Sequence, residues 1–260
     1  MPNVIPESHL VQLVLRRDWV ESFDVFPFCL SAVRHLTELE FHPKVTFLVG
    51  ENGTGKSTLL EAIAINFGCN AEGGGRNFNF ETRASHSCLD RFIKLIKSPI
   101  MPHDSFFLRA ESFYNLATEI DRLGVQKSYG GRSLHERSHG EAFFELVQNR
   151  FHGRSLYLLD EPEAALSPQR QLSFLAMLHG YCERQSQFVI ATHSPIILAY
   201  PDAWIYRLDA DGIRRVAYEE TEHFKVTRAF LTQRDKMLRI LMEEDGAQGT
   251  TPENSACESK

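Results

Sequence analysis

The chain has little cysteine and tryptophan, five and two in 260 residues. The cysteines, at positions 29, 69, 88, 182 and 257, are odd in number, widely scattered and never in C-x-x-C spacing. That excludes a disulfide frame and a cysteine zinc site, and leaves buried or idle thiols. Positive charge is not in excess either. With 28 Lys and Arg against 34 Asp and Glu, the net charge of -6 gives no global electrostatic reason to hold nucleic acid. No apolar run approaches the roughly 18 residues a membrane span needs. The start, MPNVIPESHL, carries Glu7 and no basic, apolar leader, so no membrane segment is expected and a cytoplasmic location is the default. Internal repeats and heptads are absent. What remains, 43% hydrophobic and 24% charged residues, suits one large core. The expectation is a single domain over residues 1–244 and a polar, disordered tail over 245–260.

Short apolar runs alternate with helical patterns along the chain. Val45 to Val49 reads as a buried strand, Ser57 to Phe67 as a helix and Cys69 to Arg83 as a loop. A helix is then predicted to about Lys97, with Arg91, Lys94 and Lys97 a turn apart on one face. That stripe reads as a solvated face rather than a track for DNA. Phe106 to Arg109 is a strand, Glu111 to Leu123 a helix, and Glu141 to Phe151 a helix. Ser155 to Leu159 is a strand ending in Asp160-Glu161. Ser167-Pro168 opens a helix running to about Gln185, and Gln187 to Thr192 is a strand ending in His193. A hairpin around Asp211-Gly212 and a helix from Glu222 to Glu243 complete the pattern. Strands alternating with helices imply an α/β fold with a mostly parallel sheet covered on both faces.

Gly50-Glu51-Asn52-Gly53-Thr54-Gly55-Lys56-Ser57-Thr58 fits G-x-x-x-x-G-K-[ST] between a strand and a helix. Its glycines let backbone N–H groups turn toward phosphates, and the helix N-terminus adds its positive end. Lys56 would bridge the β- and γ-phosphates of ATP, and the Ser57 hydroxyl would ligate Mg²⁺. Leu156 to Glu163 delivers Asp160 to the same sheet edge to hold Mg²⁺. Glu161 beside it is suited to polarise the attacking water. His193 ends the next strand, where ligands of such sheets bind, and is expected to contact the γ-phosphate.

Residues 135–139, HERSH, match the zinc-protease pattern H-E-x-x-H. A zincin needs both histidines on one uninterrupted helix. Gly130-Gly131 precedes this stretch and Gly140 follows it, while Ala142 and Glu145 stand where the longer metzincin pattern needs glycine and histidine. Zinc proteolysis is therefore the remote alternative.

FLVGENGTGKST, RSHGEAFF, LYLLDEPEAALSPQRQ and IATHSP occur in that order. Together they resemble the ABC-type ATPase superfamily, and more closely the small stand-alone ATPases related to the heads of chromosome-maintenance and double-strand-break-repair proteins. The resemblance covers roughly Phe26 to Glu243. It implies a P-loop NTPase fold of ABC-head type with a small N-terminal antiparallel β portion. It also implies MgATP hydrolysis in an ATP-dependent homodimer, with the nucleotides sandwiched head to tail.

RSHGEAFF then stands for the signature that closes over the partner's nucleotide. Ser138, Gly140 and Glu141 would act in trans, with His139 departing from the family's glycine and Glu141 from its glutamine. Ala164 to Ser167 is implied as the loop that contacts the opposite subunit. The family's magnesium-coordinating glutamine is not evident, and Arg109-Ala110-Glu111-Ser112 occupies that neighbourhood. An aromatic for adenine is implied among the N-terminal strands, with Phe26 or Phe28 as candidates. A DNA or protein partner, in repair or defence against foreign DNA, follows by analogy of fold. A non-hydrolysing ATP-gated clamp and the ATPase subunit of a transporter are the alternatives.

Overall fold

The computed structural model describes residues 8–71, 73–75, 87–110, 113–125, 131, 133–136 and 138–246. The chain divides into two compact units, the first ending at Tyr218. In the first unit the order is β1 (Leu10–Leu15), α1 (Ser31–Arg34), β2 (Glu38–Glu40), β3 (Val45–Gly50), α2 (Lys56–Asn66), β4 (Gly74–Gly75), α3 (Leu89–Phe92), β5 (Ile93–Lys97), β6 (Ser105–Arg109) and α4 (Phe113–Arg122). A 3-10 turn (Leu134–Glu136) leads into α5 (His139–Arg150), β7 (Leu156–Asp160), α6 (Pro168–Cys182), β8 (Gln187–Ala191), α7 (Pro195–Leu198), β9 (Ala203–Asp209) and β10 (Gly212–Val216).

The main sheet runs β10-β9-β3-β8-β7-β6-β4. Its five inner strands are parallel, and β10 and β4 pair antiparallel at the edges. Such a sheet must be covered on both faces, and the alternation along each strand shows how. Phe106, Leu108, Tyr157, Leu159, Phe188 and Ile190 join Phe143, Leu146, Phe174 and Leu178 of α5 and α6 in one core. Phe107, Leu156, Leu158, Val189 and Ala191 join Leu59, Leu60 and Ile63 of α2 in the other. Neighbouring residues of one strand thus feed opposite cores, the period-2 geometry of a strand.

The expected N-terminal antiparallel portion is a three-stranded sheet, β2-β1-β5. Its residues Leu10, Leu13 and Leu39 belong to the α2-side core. The fully buried Gln187 fastens it to the main sheet. Its Oε1 accepts from the His9 and Leu10 backbone N–H groups at 3.0 and 2.8 Å, and its Nε2 donates to the carbonyls of Leu10 and His42 at 2.8 and 2.9 Å. One side-chain amide of β8 thereby satisfies backbone groups at the start of β1 and in the loop before β3.

The helix predicted to reach Lys97 is a correction. Leu89–Phe92 is a single helical turn, and Ile93–Lys97 is a strand paired with β1. The spacing of Leu89, Phe92, Ile93 and Ile96 suits a helix, but pairing Leu13 with Leu95 and Leu15 with Ile93 puts an apolar row on the core. Tertiary burial therefore overrides the local period. The basic stripe dissolves with the helix: Lys97 Nζ donates to the Asn66 carbonyl at 2.7 Å and lies over the Phe67 ring.

In the second unit the single helix expected over 222–243 is two, α8 (Glu222–Thr232) and α9 (Arg234–Gly246). They break at Gln233, with φ -133° and ψ 33°. The Thr232 hydroxyl donates to the Arg228 carbonyl at 2.7 Å, a local bond that competes with regular helix continuation. The tail expected from residue 245 begins inside α9, and its remainder lies outside the described residues. Among the described residues no helix is long and apolar enough to cross a membrane.

Candidate active site

Residues 51–55 join the carboxyl end of β3 to the first turn of α2, and backbone geometry dictates which glycines are needed. Gly50 has φ +153°, and a Cβ there would lie 2.2 Å from the Leu208 carbonyl oxygen. Gly55, at φ +106°, is the N-cap of α2, and a Cβ would stand 3.3 Å from Leu30. The segment entering α1 braces the loop through Ala32 N–H to the Thr54 carbonyl, 3.1 Å. Thr54 donates its hydroxyl to the Glu51 carbonyl at 2.9 Å. Asn52 and Gly53 are exposed at the loop tip, and Ser57 and Thr58 lie half-buried in the first turn of α2.

Lys56 is buried, and its ammonium donates to the carbonyls of Gly50 and Glu51 at 2.7 and 2.9 Å. Burial pushes its pKa down, opposed by the nearby charges of Glu161, Asp160 and Glu163. An anion at the loop would supply the charge that this desolvated cation lacks.

Register brings the acids to the same edge. Asp160 is level with Arg109 of β6 and Ala191 of β8. The Ser57 hydroxyl donates to Asp160 Oδ1 at 3.1 Å. Glu161 follows in the left-handed region, φ 53° and ψ 51°, with its N–H on the Ala191 carbonyl at 2.9 Å. A non-glycine residue held there carries backbone strain of a kind that clusters at functional sites. Its Oε1 lies 3.7 Å from His193 Nε2. Burial first, and then the Lys56 charge, lower the His193 pKa from its ordinary value, so the ring is neutral near pH 7. Glu163 accepts from the Thr192 hydroxyl at 2.7 Å and from His193 N–H at 2.5 Å, tying the residues after β7 to those after β8.

These groups fit MgATP. The cradle demands glycine where backbone approaches closely, its buried cation donates to carbonyls, and a hydroxyl and a carboxylate meet at the helix start. Ser57 and Asp160 would hold Mg²⁺, and Lys56 with the N–H groups around Gly53, Gly55 and Thr58 would hold the phosphates. The metal, when bound, would neutralise charge on the transferring phosphoryl group.

Ser138 to Phe144 of the RSHGEAFF stretch lie at the start of α5. Ser138 is the N-cap, and its Oγ accepts from Glu141 N–H at 3.4 Å, while Glu141 Oε2 accepts from the Ser138 N–H and hydroxyl at 3.0 and 2.6 Å. That is a reciprocal capping box. Glu141 is therefore turned in on the cap. Arg170 of α6 stands over it, with Nη1 3.5 Å from Ser138 Oγ and Nη2 3.9 Å from Glu141 Oε1. Gly140 makes room for that guanidinium, since a Cβ would lie 2.0 Å from Arg170 Nη1.

His135 and His139 belong to different elements, the 3-10 turn and the first turn of α5. His135 Nε2 pairs with the Thr118 hydroxyl at 3.1 Å and its ring packs on Tyr114. HERSH is thus not the single helix a zincin requires. Phe28 is buried edge-on to Phe92 and offers no face to a base, whereas Phe26 is 62% exposed. Glu111 and Ser112 lie outside the described residues.

No sequence motif assigns a role to Glu61 or Arg170, and Arg109 enters only as an occupant of the glutamine's neighbourhood. Glu61 is a lone acid in the apolar helix KSTLLEAIAIN, a signal that could have marked it as paired. Arg170 gave no such signal, because its partners come from a distant segment.

Residues 23–121 match the family model described as "AAA domain", and residues 133–199 match "AAA domain, putative AbiEii toxin, Type IV TA system". The chain is 49% identical over 119 residues to "Structural maintenance of chromosomes protein 6A" of Arabidopsis thaliana, using 43% of this chain and spanning 11% of that protein. It is 30% identical over 162 residues to "Cytochrome c biogenesis ATP-binding export protein CcmA" of Mesorhizobium japonicum, using 57% of this chain and 78% of that one. Two solved structures are similar at low identity. The "SMC head domain from Thermotoga maritima" matches at 17% identity and TM-score 0.40, over 80% of this chain and 98% of that one. CbiO1 from Clostridium perfringens, "part of the ABC transporter complex cbiONQ", matches at 16% and 0.46, over 91% and 100%. With most of the export protein's length matched at 30% identity, the first model covering the phosphate loop and the second the capped helix and the acidic strand, the chain belongs to the ABC-type branch of the P-loop ATPases.

Proposed function

We propose that this protein hydrolyses ATP with Mg²⁺ bound, and that two copies sandwich two nucleotides between the phosphate loop of one and the Ser138 cap of the other. The observation that supports hydrolysis is Glu161, presented on strained backbone beside Asp160 and within 3.7 Å of His193. Its carboxylate accepts a proton from the attacking water, and neutral His193 donates a hydrogen bond to the γ-phosphate. Lys56 exchanges its carbonyl partners for phosphate oxygens. The sandwich rests on the family's signature, carried onto Ser138 and Gly140.

ATP binding favours the closed pair and hydrolysis releases it. A DNA or protein partner is the reading that the chromosome-maintenance relative supports, and a cytoplasmic location with a role in repair or defence is proposed beside it by analogy of fold. The likeness to an export ATP-binding protein favours a second reading, a subunit driving a membrane partner. The test is the solution mass of Glu161→Gln with and without MgATP. Dimer formation on adding MgATP is expected; a persistent monomer with nucleotide bound would overturn the homodimer.

A further inference from the structure

Asp160 is a shared carboxylate. Its Oδ1 takes the Ser57 hydroxyl at 3.1 Å, and its Oδ2 lies 3.6 Å from Arg109 Nε. Arg109 in turn donates through Nη1 to Glu61 Oε2 at 3.1 Å, and the other oxygen of Glu61 accepts the Ser87 N–H at 3.0 Å. Two carboxylates, with side chains only 5% and 9% exposed, thus face one guanidinium.

The parts are rigidly placed. Ser57 and Glu61 are four residues apart on α2 and so lie on the same face of it. Arg109 is registered against Asp160 in the sheet, and the next N–H, of Ala110, bonds the Asp160 carbonyl at 3.1 Å. The cation therefore bridges the helix that carries the phosphate loop and the strand that carries the acid.

We propose that Arg109 is an internal counter-cation that competes with magnesium for Asp160, with Glu61 as the partner to which it withdraws. The division of Arg109 between the two acids then sets the magnesium concentration at which the protein grips a nucleoside triphosphate. A guanidinium within ion-pair reach of Asp160 repels a second cation there. Glu61 makes the withdrawal feasible, because Arg109 leaves one buried carboxylate for another rather than for an apolar wall. The inference rests on the MgATP reading of Ser57 and Asp160 and makes opposite-signed predictions for the two partners.

The experiment titrates magnesium, from a chelator-buffered start, into the full chain with a fluorescent ATP analogue, and reads analogue binding rather than turnover. Arg109→Gln is expected to lower the magnesium midpoint about tenfold, since a like charge leaves the site. Glu61→Gln, which removes the acid to which Arg109 withdraws from Asp160, is expected to raise it several-fold, and Arg109→Lys to stay near the parent. Because Arg109→Gln strands a buried acid, the double variant Glu61→Gln/Arg109→Gln guards against misfolding and should also show a lowered midpoint. Midpoints that do not move, or that move in the reverse order, overturn the counter-cation. Failure of the parent to bind the analogue at any magnesium concentration would instead remove the MgATP reading, and this inference with it.

Discussion

The backbone of Glu161 offers a test that separates stability from chemistry. Its φ and ψ of 53° and 51° are left-handed, in a residue with a Cβ, directly before Pro162. That conformation costs an ordinary residue roughly 1–2 kcal/mol. Glycine would relieve it, but loses about 0.4–1 kcal/mol to its greater freedom in the unfolded chain. Glu161→Gly should therefore be more stable than Glu161→Gln by about 0.5–1 kcal/mol, or roughly 1–4 °C in Tm for a domain of this size. Both lose the carboxylate, so both should lose hydrolysis by about 100-fold or more. Comparing glycine with glutamine, rather than with the parent, cancels the effect of removing a charge near Lys56. Thermal and urea unfolding without nucleotide would give the stability difference, and phosphate release the activity. Glycine clearly less stable than glutamine would refute the strained-backbone reasoning. Parental turnover in Glu161→Gln would refute the base.

Three other perturbations probe separate parts of the argument. Gln187→Leu leaves the buried N–H groups of His9 and Leu10 without their acceptor. At ~1–3 kcal/mol for each stranded group, a loss of about 3 kcal/mol and a Tm drop of roughly 6–12 °C is expected by calorimetry; a near-neutral result would mean that the two sheets hold together without the amide. The His193 pKa lies below its ordinary 6.5 because of burial and then Lys56. The folded protein therefore prefers the neutral ring, so this contribution to stability is complete above pH 6.5 and is lost as the pH falls through the lowered pKa. Histidine NMR should show His193 titrating on the acid side of 6.5 and moving upward in Lys56→Ala; a titration above 6.5 in the parent would contradict this. Ser138→Arg removes the cap of α5, worth about 1 kcal/mol, and sets a bulky cation beside Arg170. ATP-dependent mass increase and turnover should both fall at least tenfold, as charge repulsion and bulk block closure; unchanged values would end the role of Ser138 in trans.

The phosphate loop was legible because its chemistry and its local structure coincide. Gly50, Gly55, Lys56 and Ser57 fall within eight consecutive residues, and a strand-to-helix turn is the only frame they need. Asp160 and Glu161 were legible for the same reason, at the end of an apolar run that could only be a buried strand. Boundaries differ by two or three residues where helix ends fray, as at the start of α5 and the end of α6. Ile93–Lys97 could not be read locally, because its spacing satisfies both periods and the pairing with β1 decides. The inward turn of Glu141 onto Ser138 was signalled by the S-x-x-E spacing, yet the approach of Arg170 was not.

The sequence by itself determined the alternating α/β pattern, the phosphate loop, the acidic strand end and the order of the family's motifs, because each depends on neighbours within a few residues. Only the tertiary structure decided that Arg109 stands between Glu61 and Asp160, that Glu163 ties His193 to the acidic strand, that Gln187 fastens one sheet to the other, and that HERSH is split between two elements. The first three join residues that are far apart in the chain. Their energies come from burial and from charges brought within ion-pair reach, which no local pattern of residues encodes.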